Sequence, residues 1–110
     1  MSIYVLRGRY SAEALKGMMA SPEDREAALA KVFENAGGKL LAFYLTFGED
    51  DFLVVAECPD NNAAFALAIA GAAGGSISNM KTTVAVTSKE AMGAFKRAGE
   101  LAKTLKNAGR

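Results

Sequence analysis

Two apolar runs joined by a short acidic turn dominate the hydrophobic pattern of this chain. The runs cover residues 39–47 and 51–58, and the turn between them holds Gly48, Glu49 and Asp50. β-Branched and aromatic residues on either side of a glycine-containing turn are typical of a β-hairpin. Both alternating faces of these strands are largely apolar, so helices that cover one face leave the other to be covered by a second subunit. The pattern therefore predicts a central hairpin and an oligomer.

Two further segments have the alternation of strands. They cover residues 3–10 and 77–87, and in the second of them Thr82 and Val84 share one face while Lys81 and Thr83 share the other. The face with Lys81 and Thr83 is polar enough to line a wet cavity.

Helical signals fill the intervals between these strands. Ser11 is expected to cap a first helix, and Ser21-Pro22 restarts a helix that continues to Ala36. The helix predicted at 63–73 carries small apolar residues on nearly all of its faces, so we expect it to be mostly buried. A terminal helix after a Ser88 cap carries an apolar stripe that is expected to dock on the body or on a neighbouring molecule: Met92, Phe95, Ala98, Leu101, Ala102 and Leu105.

The order of the predicted elements is β, interrupted α, β, β, α, β and α. Up to the fourth strand this is the split βαβ order of an α+β, ferredoxin-like fold, with an antiparallel sheet and helices on one face. A chain of 110 residues is long enough for one domain of usual size. We expect a single domain at 1–110, with a core at 1–87 and the terminal helix at 88–110.

Composition narrows the possible partners and compartment. The net charge is +1 with both signs interspersed, which argues against nucleic acid and against an anionic membrane surface as partners. The only cysteine, Cys58, allows no intrachain disulfide, and no charged-then-apolar leader precedes the first strand. The most apolar segment, 63–73, is too short to cross a bilayer. These features predict a cytoplasmic protein without a membrane span.

The chain contains no histidine. This removes the usual general base, the triads that depend on it and the usual axial ligand of haem. The carboxylates of Glu49, Asp50 and Asp51 could hold a hard cation, but the same residues suit an exposed turn and no further ligand is in view. Cys58 ends an apolar strand and is expected to be an inert buried thiol. We therefore expect no metal and no cofactor.

Several strand residues combine an aromatic or aliphatic body with a polar tip that could hold a small anion or a carbonyl group. Each also has a plain structural interpretation, as a core aromatic or as a charge at a strand edge in water. The predicted ligand-binding set is Tyr4, Arg7, Tyr44, Thr46, Lys81 and Thr83.

Short motifs in a fixed order give the chain a resemblance to the GYD domain family over residues 2–87. Gly48 and Asp51 match the glycine and aspartate of the family name, and Asp50 stands where the pattern has tyrosine. The resemblance implies a dimeric α+β barrel and implies no established activity. The other motifs that carry it are Ile3-Tyr4-Val5, Ser21-Pro22, Gly37-Gly38-Lys39, the run from Ala42 to Gly48, residues 52–56 and Lys81-Thr82-Thr83.

Three hypotheses for function follow. The first is a homo-oligomer that binds a small molecule in a sheet-lined cavity. The second is an enzyme resembling the cofactor-independent monooxygenases or isomerases of the same barrel, in which Tyr44, Arg7 or a carboxylate orients the substrate; fold alone does not imply such an activity. The third is a structural or assembly module that acts through the terminal helix.

Overall fold

The computed structural model describes residues 1–106 and 109. It is an α+β structure with one four-stranded antiparallel sheet and four helices. The elements in chain order are β1 (Ser2–Tyr10), α1 (Ala12–Ala20), α2 (Glu26–Asn35), β2 (Lys39–Leu45), β3 (Phe52–Cys58), α3 (Asn61–Ala73), β4 (Ile77–Ala85) and α4 (Ser88–Ala102).

The strands lie in the order β2-β3-β1-β4, so β1 and β3 are central. All three neighbouring pairs are antiparallel. The register pairs Val5 with Val55 on β3 and with Thr83 on β4. Because side chains alternate along a strand, this register fixes which residues of the four strands share a face.

Helices cover one face of the sheet, here called the covered face. Along β3 every second residue is buried, from Phe52 to Cys58, and these residues form the core with Tyr4 and Leu6 of β1. Phe33 from α2 and Ala64 from α3 complete the buried cluster. The residues between them on β3, from Leu53 to Glu57, are half-buried and point to the opposite side, here called the open face.

The boundaries of several elements differ from those predicted. Ser21-Pro22 does not restart a helix directly, because α2 begins only at Glu26, where the Asp24 carboxylate accepts from the Glu26 backbone N–H at 2.9 Å. The cap of α4 is Thr87 rather than Ser88, and it forms a capping box with Glu90. The cap at Ser11 is confirmed, since its side chain accepts from the N–H group of Ala14. Asp60 caps α3 in the same way, because its side chain accepts from the N–H group of Ala63.

Two expectations about packing are wrong. The third helix is not mostly buried: Ala64 is its only buried residue, and Phe65 and Ile69 are 66% and 52% exposed. Of the two placements expected for the terminal helix, docking on the body is wrong, because none of the α4 side chains is buried; docking on a neighbouring molecule stays a prediction. The chain measures 60 × 33 × 22 Å, with a radius of gyration of 17.9 Å, against about 13 Å for a compact chain of this length. The apolar stripe of α4 therefore lies in solvent.

Among the described residues, no helix has both the length and the hydropathy that a membrane span requires.

Candidate functional site

The open face carries an apolar centre bounded by charged residues at both ends. In the middle row, Ala42, Val55, Val5 and Thr83 lie side by side across the four strands. Towards one end, the next row of this face holds Tyr44, Leu53, Arg7 and Lys81; towards the other end, it holds Lys39, Glu57, Ile3 and Ala85. Within the described part of the chain, no helix packs on this face.

Four of the six predicted ligand-binding residues meet on this face. Tyr44, Arg7 and Lys81 share one row. Thr83, two residues from Lys81 on β4, lies in the neighbouring middle row. Tyr44 is 60% exposed, so its phenol is free to contact another molecule. The arrangement combines aliphatic area with hydroxyl and cationic groups, which is the mixture that small-molecule sites use to hold and orient a ligand.

Tyr4 does not join them. It lies on the covered face, is 2% exposed and donates its hydroxyl hydrogen to Oδ1 of Asn61 at the start of α3. Tyr4 precedes Val5 in the strand and must point the other way, whereas Arg7, two residues after Val5, points the same way; Tyr4 and Arg7 therefore cannot line the same side of the sheet. The structure therefore separates Tyr4 from the other members of the predicted set.

Thr46 lies just beyond β2, in the turn of the hairpin. Its hydroxyl donates to the backbone oxygen of Asp50 at 2.7 Å, and its N–H donates to the backbone oxygen of Asp51 at 2.8 Å. Both of these donors are used to close the turn. The hydroxyl oxygen of Thr46 keeps the capacity to accept a hydrogen bond from a ligand.

The acidic turn is tied to the central strand and to β4. The Asp51 N–H donates to the Gly8 oxygen at 2.8 Å, and one Asp51 carboxylate oxygen accepts from the Tyr10 N–H at 2.9 Å. Lys81 Nζ lies 2.8 Å from Asp50 Oδ1 and 3.9 Å from Glu49 Oε1. The turn thus brings negative charge to Lys81. The end of the open face that holds Arg7 and Lys81 is here called the basic end.

These contacts bear on the alternative of a cation site in the turn. Two of its carboxylates already accept from protein donors, Asp50 from Lys81 and Asp51 from Tyr10. Across the described residues, no cluster of three or more histidine, cysteine or acidic side chains is placed to hold a metal ion. The arrangement supports the structural interpretation of the turn.

Arg7 differs from Lys81 in its charge environment. No acidic side chain of the described residues lies within ion-pair distance of its guanidinium group, whereas Lys81 has two. Arg7 is exposed and directly opposite Lys81 in the β1–β4 register. The open face therefore presents the uncompensated guanidinium group of Arg7 beside Leu53 and Val5; Arg9, two residues further along β1, is also exposed and without an ion pair among the described residues.

Two grooves flank the sheet, and most of their lining was not predicted. One, of about 410 Å³, lies at the start of β4 and is lined by Arg9, Glu49, Asn79, Met80 and Lys81. Asn79 has a φ of 50° where the β1–β4 register shifts. Asparagine is among the few residues that tolerate this left-handed conformation, so Ser78-Asn79 inside a strand pattern was the available sequence signal.

The other groove, of about 400 Å³, lies on the covered side between the sheet end and the α1–α2 connection. Tyr10, Phe43 and Leu45 supply aromatic and aliphatic walls, and Arg25 lies on its rim. Burial raises the pKa of Tyr10; Arg25 lowers the pKa and Asp51 raises it, each by a smaller amount. The Tyr10 phenol therefore stays protonated at neutral pH and can act as a hydrogen-bond donor.

The protein-family model of the GYD domain matches residues 4–95 of the chain. The chain belongs to the GYD domain family. The match to the GYD domain extends beyond the predicted core into α4, as far as Phe95, so the first half of the projecting helix is part of the family pattern. Comparisons with curated proteins and with solved structures gave no significant match.

Asp50 lies in the turn between β2 and β3 and contacts β4. Asp50, which stands where the resemblance led us to expect tyrosine, provides the carboxylate nearest to Lys81. Its side chain is 16% exposed, against 87% for Glu49, so it is the better shielded of the two acidic partners. Asp50 therefore places a negative charge beside Lys81 on the open face.

Proposed function

We propose that this GYD protein is a homo-oligomer, in its simplest form a homodimer, that binds a small molecule in a cavity lined by the open face of its sheet. The observation that carries the proposal is the uncovered row of Ala42, Val55, Val5 and Thr83, with Ile3 and Leu53 beside it. A contiguous apolar sheet face is characteristic of a surface that packs against another molecule. A second copy of the same sheet supplies a matching apolar face.

The strand order supports the finer assignment of the fold. In β2-β3-β1-β4, the first and third strands are central and antiparallel, as in the ferredoxin-like arrangement. Helices on one side of such a sheet leave the other side for face-to-face packing, which gives a dimeric α+β barrel. The buried thiol of Cys58 is compatible with the reducing cytoplasm.

The polar groups on the open face suggest the chemistry of the ligand. Arg7 offers a guanidinium group without an acidic partner among the described residues. Tyr44 and Thr83 offer hydroxyl groups on the same face, from the two edge strands of the sheet. Val5 and Leu53 lie between them and favour an apolar body. The site suits a molecule with an apolar framework and one anionic or carbonyl group.

Native mass spectrometry of freshly purified protein tests both parts of the proposal. We expect a dimer or a larger assembly, and added mass that is lost on denaturation identifies a retained ligand. A bare monomer at micromolar concentration, unaffected in melting temperature by any member of a small-molecule panel, would refute the proposal.

A matched pair of threonine variants locates the site. Thr83→Val removes a hydroxyl from the open face, while Thr82→Val removes one from the neighbouring position on the covered face. The panel should contain aromatic and aliphatic carboxylates together with their primary amides. We expect Thr83→Val and Arg7→Gln to weaken carboxylate binding and Thr82→Val to leave it unchanged; equal effects of the two threonine variants would place the ligand elsewhere.

A further inference from the structure

We propose that Arg7 of each copy forms an ion pair with the partner's Glu57, across a two-fold axis that crosses the strands above Val5 and Val55. The proposal rests on the homodimer of the proposed function and specifies how its two sheets are aligned. It identifies the occupant of the open face as a second copy of this chain through the complementarity of its charges.

Arg7 and Glu57 are placed symmetrically about the middle of the open face. Val5 pairs with Val55, Ile3 pairs with Glu57, and Arg7 pairs with Leu53. Arg7 therefore lies two residues from the Val5–Val55 row towards one end of the sheet, and Glu57 lies two residues from it towards the other. At about 3.3 Å per residue, each charge is about 7 Å from the row along the strands.

Both charges lack an ion-pair partner in the described part of the chain. Lys39 lies opposite Glu57 in the β2–β3 register, but its ammonium group is not within ion-pair distance of the Glu57 carboxylate. Lys39 is exposed on the edge strand, whereas Glu57 is half-buried on a central strand. Glu57 is thus the central acidic group of the open face, and Arg7 is its central unpaired basic group.

Covering the open face turns these two charges into buried charges. A buried charge without a partner is strongly unfavourable, so stable packing must bring each one close to a group of opposite sign. Since an isologous interface uses the same surface twice, the Arg7 of one copy and the partner's Glu57 form one contact, and the reciprocal contact comes from symmetry.

Charge selects between the two axes that keep the strands of both sheets roughly aligned. An axis along the strands keeps each end of the sheet beside the same end of the partner, so Arg7 and Lys81 meet the basic end of the second copy. An axis across the strands reverses the ends and places Arg7 above the row that contains the partner's Glu57. The second arrangement replaces like-charge contacts with opposite-charge contacts.

The ion pair is compatible with a ligand on the same face. A guanidinium group has five N–H donors, so a carboxylate can occupy one edge while other donors remain available. Tyr44 and Thr83 lie on β2 and β4, outside the central pair of strands that carries the contact. The ion pair would fix the alignment of the two sheets and leave these hydroxyl groups for the bound molecule.

Charge reversal gives a direct test. In Arg7→Glu homodimers both inter-subunit contacts join two acidic groups, and in Glu57→Arg homodimers both join two basic groups. We expect each variant alone to dissociate with a Kd about 100-fold or more above that of the unchanged protein. In an equimolar mixture, both contacts of the heterodimer again join opposite charges, so a heterodimer should form and be resolved by its mass in native mass spectrometry.

Lys31→Glu and Glu34→Lys serve as matched controls, because both residues are exposed on α2 and away from the open face. We expect these variants to dimerise like the unchanged protein. If the reversed variants dimerise as tightly as the unchanged protein, or if their mixture shows no preference for the heterodimer, the pairing is wrong while the dimer stands. A monomeric unchanged protein would overturn the dimer and the pairing together. Arg7→Gln and Glu57→Gln repeat the test if a reversed variant does not fold.

Discussion

At the scale of single residues, the hydroxyl group of Tyr4 stabilises the covered side. The ring is 2% exposed, and the hydroxyl hydrogen is donated to Asn61 at the first turn of α3. Tyr4→Phe keeps the ring and removes this hydrogen bond, so we expect a loss of about 1 kcal/mol in the free energy of unfolding, measured by urea denaturation. Tyr44→Phe is the control, because that ring is 60% exposed. Equal losses in both variants would argue against a special role of the Tyr4–Asn61 contact.

The same residue shows where prediction from sequence stops. Alternation alone predicts that Tyr4 and Arg7 lie on opposite faces, since they are three residues apart on one strand. The sequence does not identify the covered face, because β3 is apolar on both faces: Leu53 and Val55 on one face are as apolar as Val54 and Ala56 on the other. Only the positions of α2 and α3 decide it, so the predicted site mixed residues from both sides.

A second prediction at this scale concerns alkaline pH. Burial, and to a lesser extent Asp60, raises the pKa of Cys58 above its usual 9.0, and burial raises the pKa of Tyr10 above its usual 10.0. The folded protein therefore holds these protons at pH values where the unfolded chain releases them. We expect the free energy of unfolding to be unaffected by these groups below about pH 8 and to fall as pH rises above about 9. Urea titrations from pH 7 to 11 measure this, and Tyr10→Phe should reduce the fall in the upper part of the range.

At the scale of elements, the connection from α2 to β2 depends on the absence of a side chain at Gly38. A Cβ atom there would lie 2.1 Å from the backbone oxygen of Glu57, which cannot move without disturbing β3. We expect Gly38→Ala to lower the melting temperature by ten degrees or more, or to prevent folding. Gly17→Ala is the control, because a Cβ there meets nothing within 4 Å. Alanine also favours helix over glycine by about 1 kcal/mol, so α1 should gain stability. A mild effect at Gly38 would show that β2 can shift relative to β3.

For the terminal helix, the sequence predicted the secondary structure but not the packing. Its amphipathic stripe correctly predicted a helix, and its cap lies within one residue of the predicted position. Docking on the body, one of the two placements expected, was wrong, and docking on a neighbouring molecule stays a prediction, because an apolar stripe indicates that a helix has a face to bury but not what covers it. Similarly, the all-apolar pattern of α3 predicted burial, yet Phe65 and Ile69 are largely exposed.

The capping box of α4 stabilises the start of a helix that buries none of its residues. The Thr87 hydroxyl oxygen accepts from the Glu90 N–H at 3.0 Å, and Oε1 of Glu90 accepts from the Thr87 N–H at 3.1 Å. The hydrogen bonds from Thr87 to the Glu90 carboxylate, first of all that of the Thr87 N–H, lower the pKa of Glu90. Thr87→Ala removes the side-chain acceptor, so far-UV circular dichroism should show lost helix. Because no α4 side chain is buried, we expect the melting temperature of the body to stay within about one degree. A clear fall in melting temperature would mean that α4 contacts a second copy; Thr104→Ala, near the chain end, is the control.

At the scale of the whole molecule, the described chain leaves two apolar surfaces uncovered. Half-buried Val5, Val55, Leu53 and Ile3 form the open face, and the stripe of α4 forms a second uncovered surface. The shape agrees with this, since the long dimension of 60 Å is almost twice the next one. Association is the simplest way to remove such surface from water, and the open face is the better candidate because Val5, Ile3, Leu53 and Val55 lie on the two central strands of the sheet.

The proposed association through the open face would make stability depend on protein concentration. If folding and dimer formation are coupled, each tenfold rise in concentration stabilises the folded dimer by about 1.4 kcal/mol. For a dimer of this size, that corresponds to an increase in melting temperature of roughly 3 to 6 °C per tenfold rise. We expect Val55→Glu to abolish this dependence by placing a charge at the centre of the interface. Val32→Glu is the control, because that side chain is 47% exposed on α2, away from the open face. A melting temperature independent of concentration in the unchanged protein, together with a monomeric mass, would show that the open face remains in water and that the apolar row has another use.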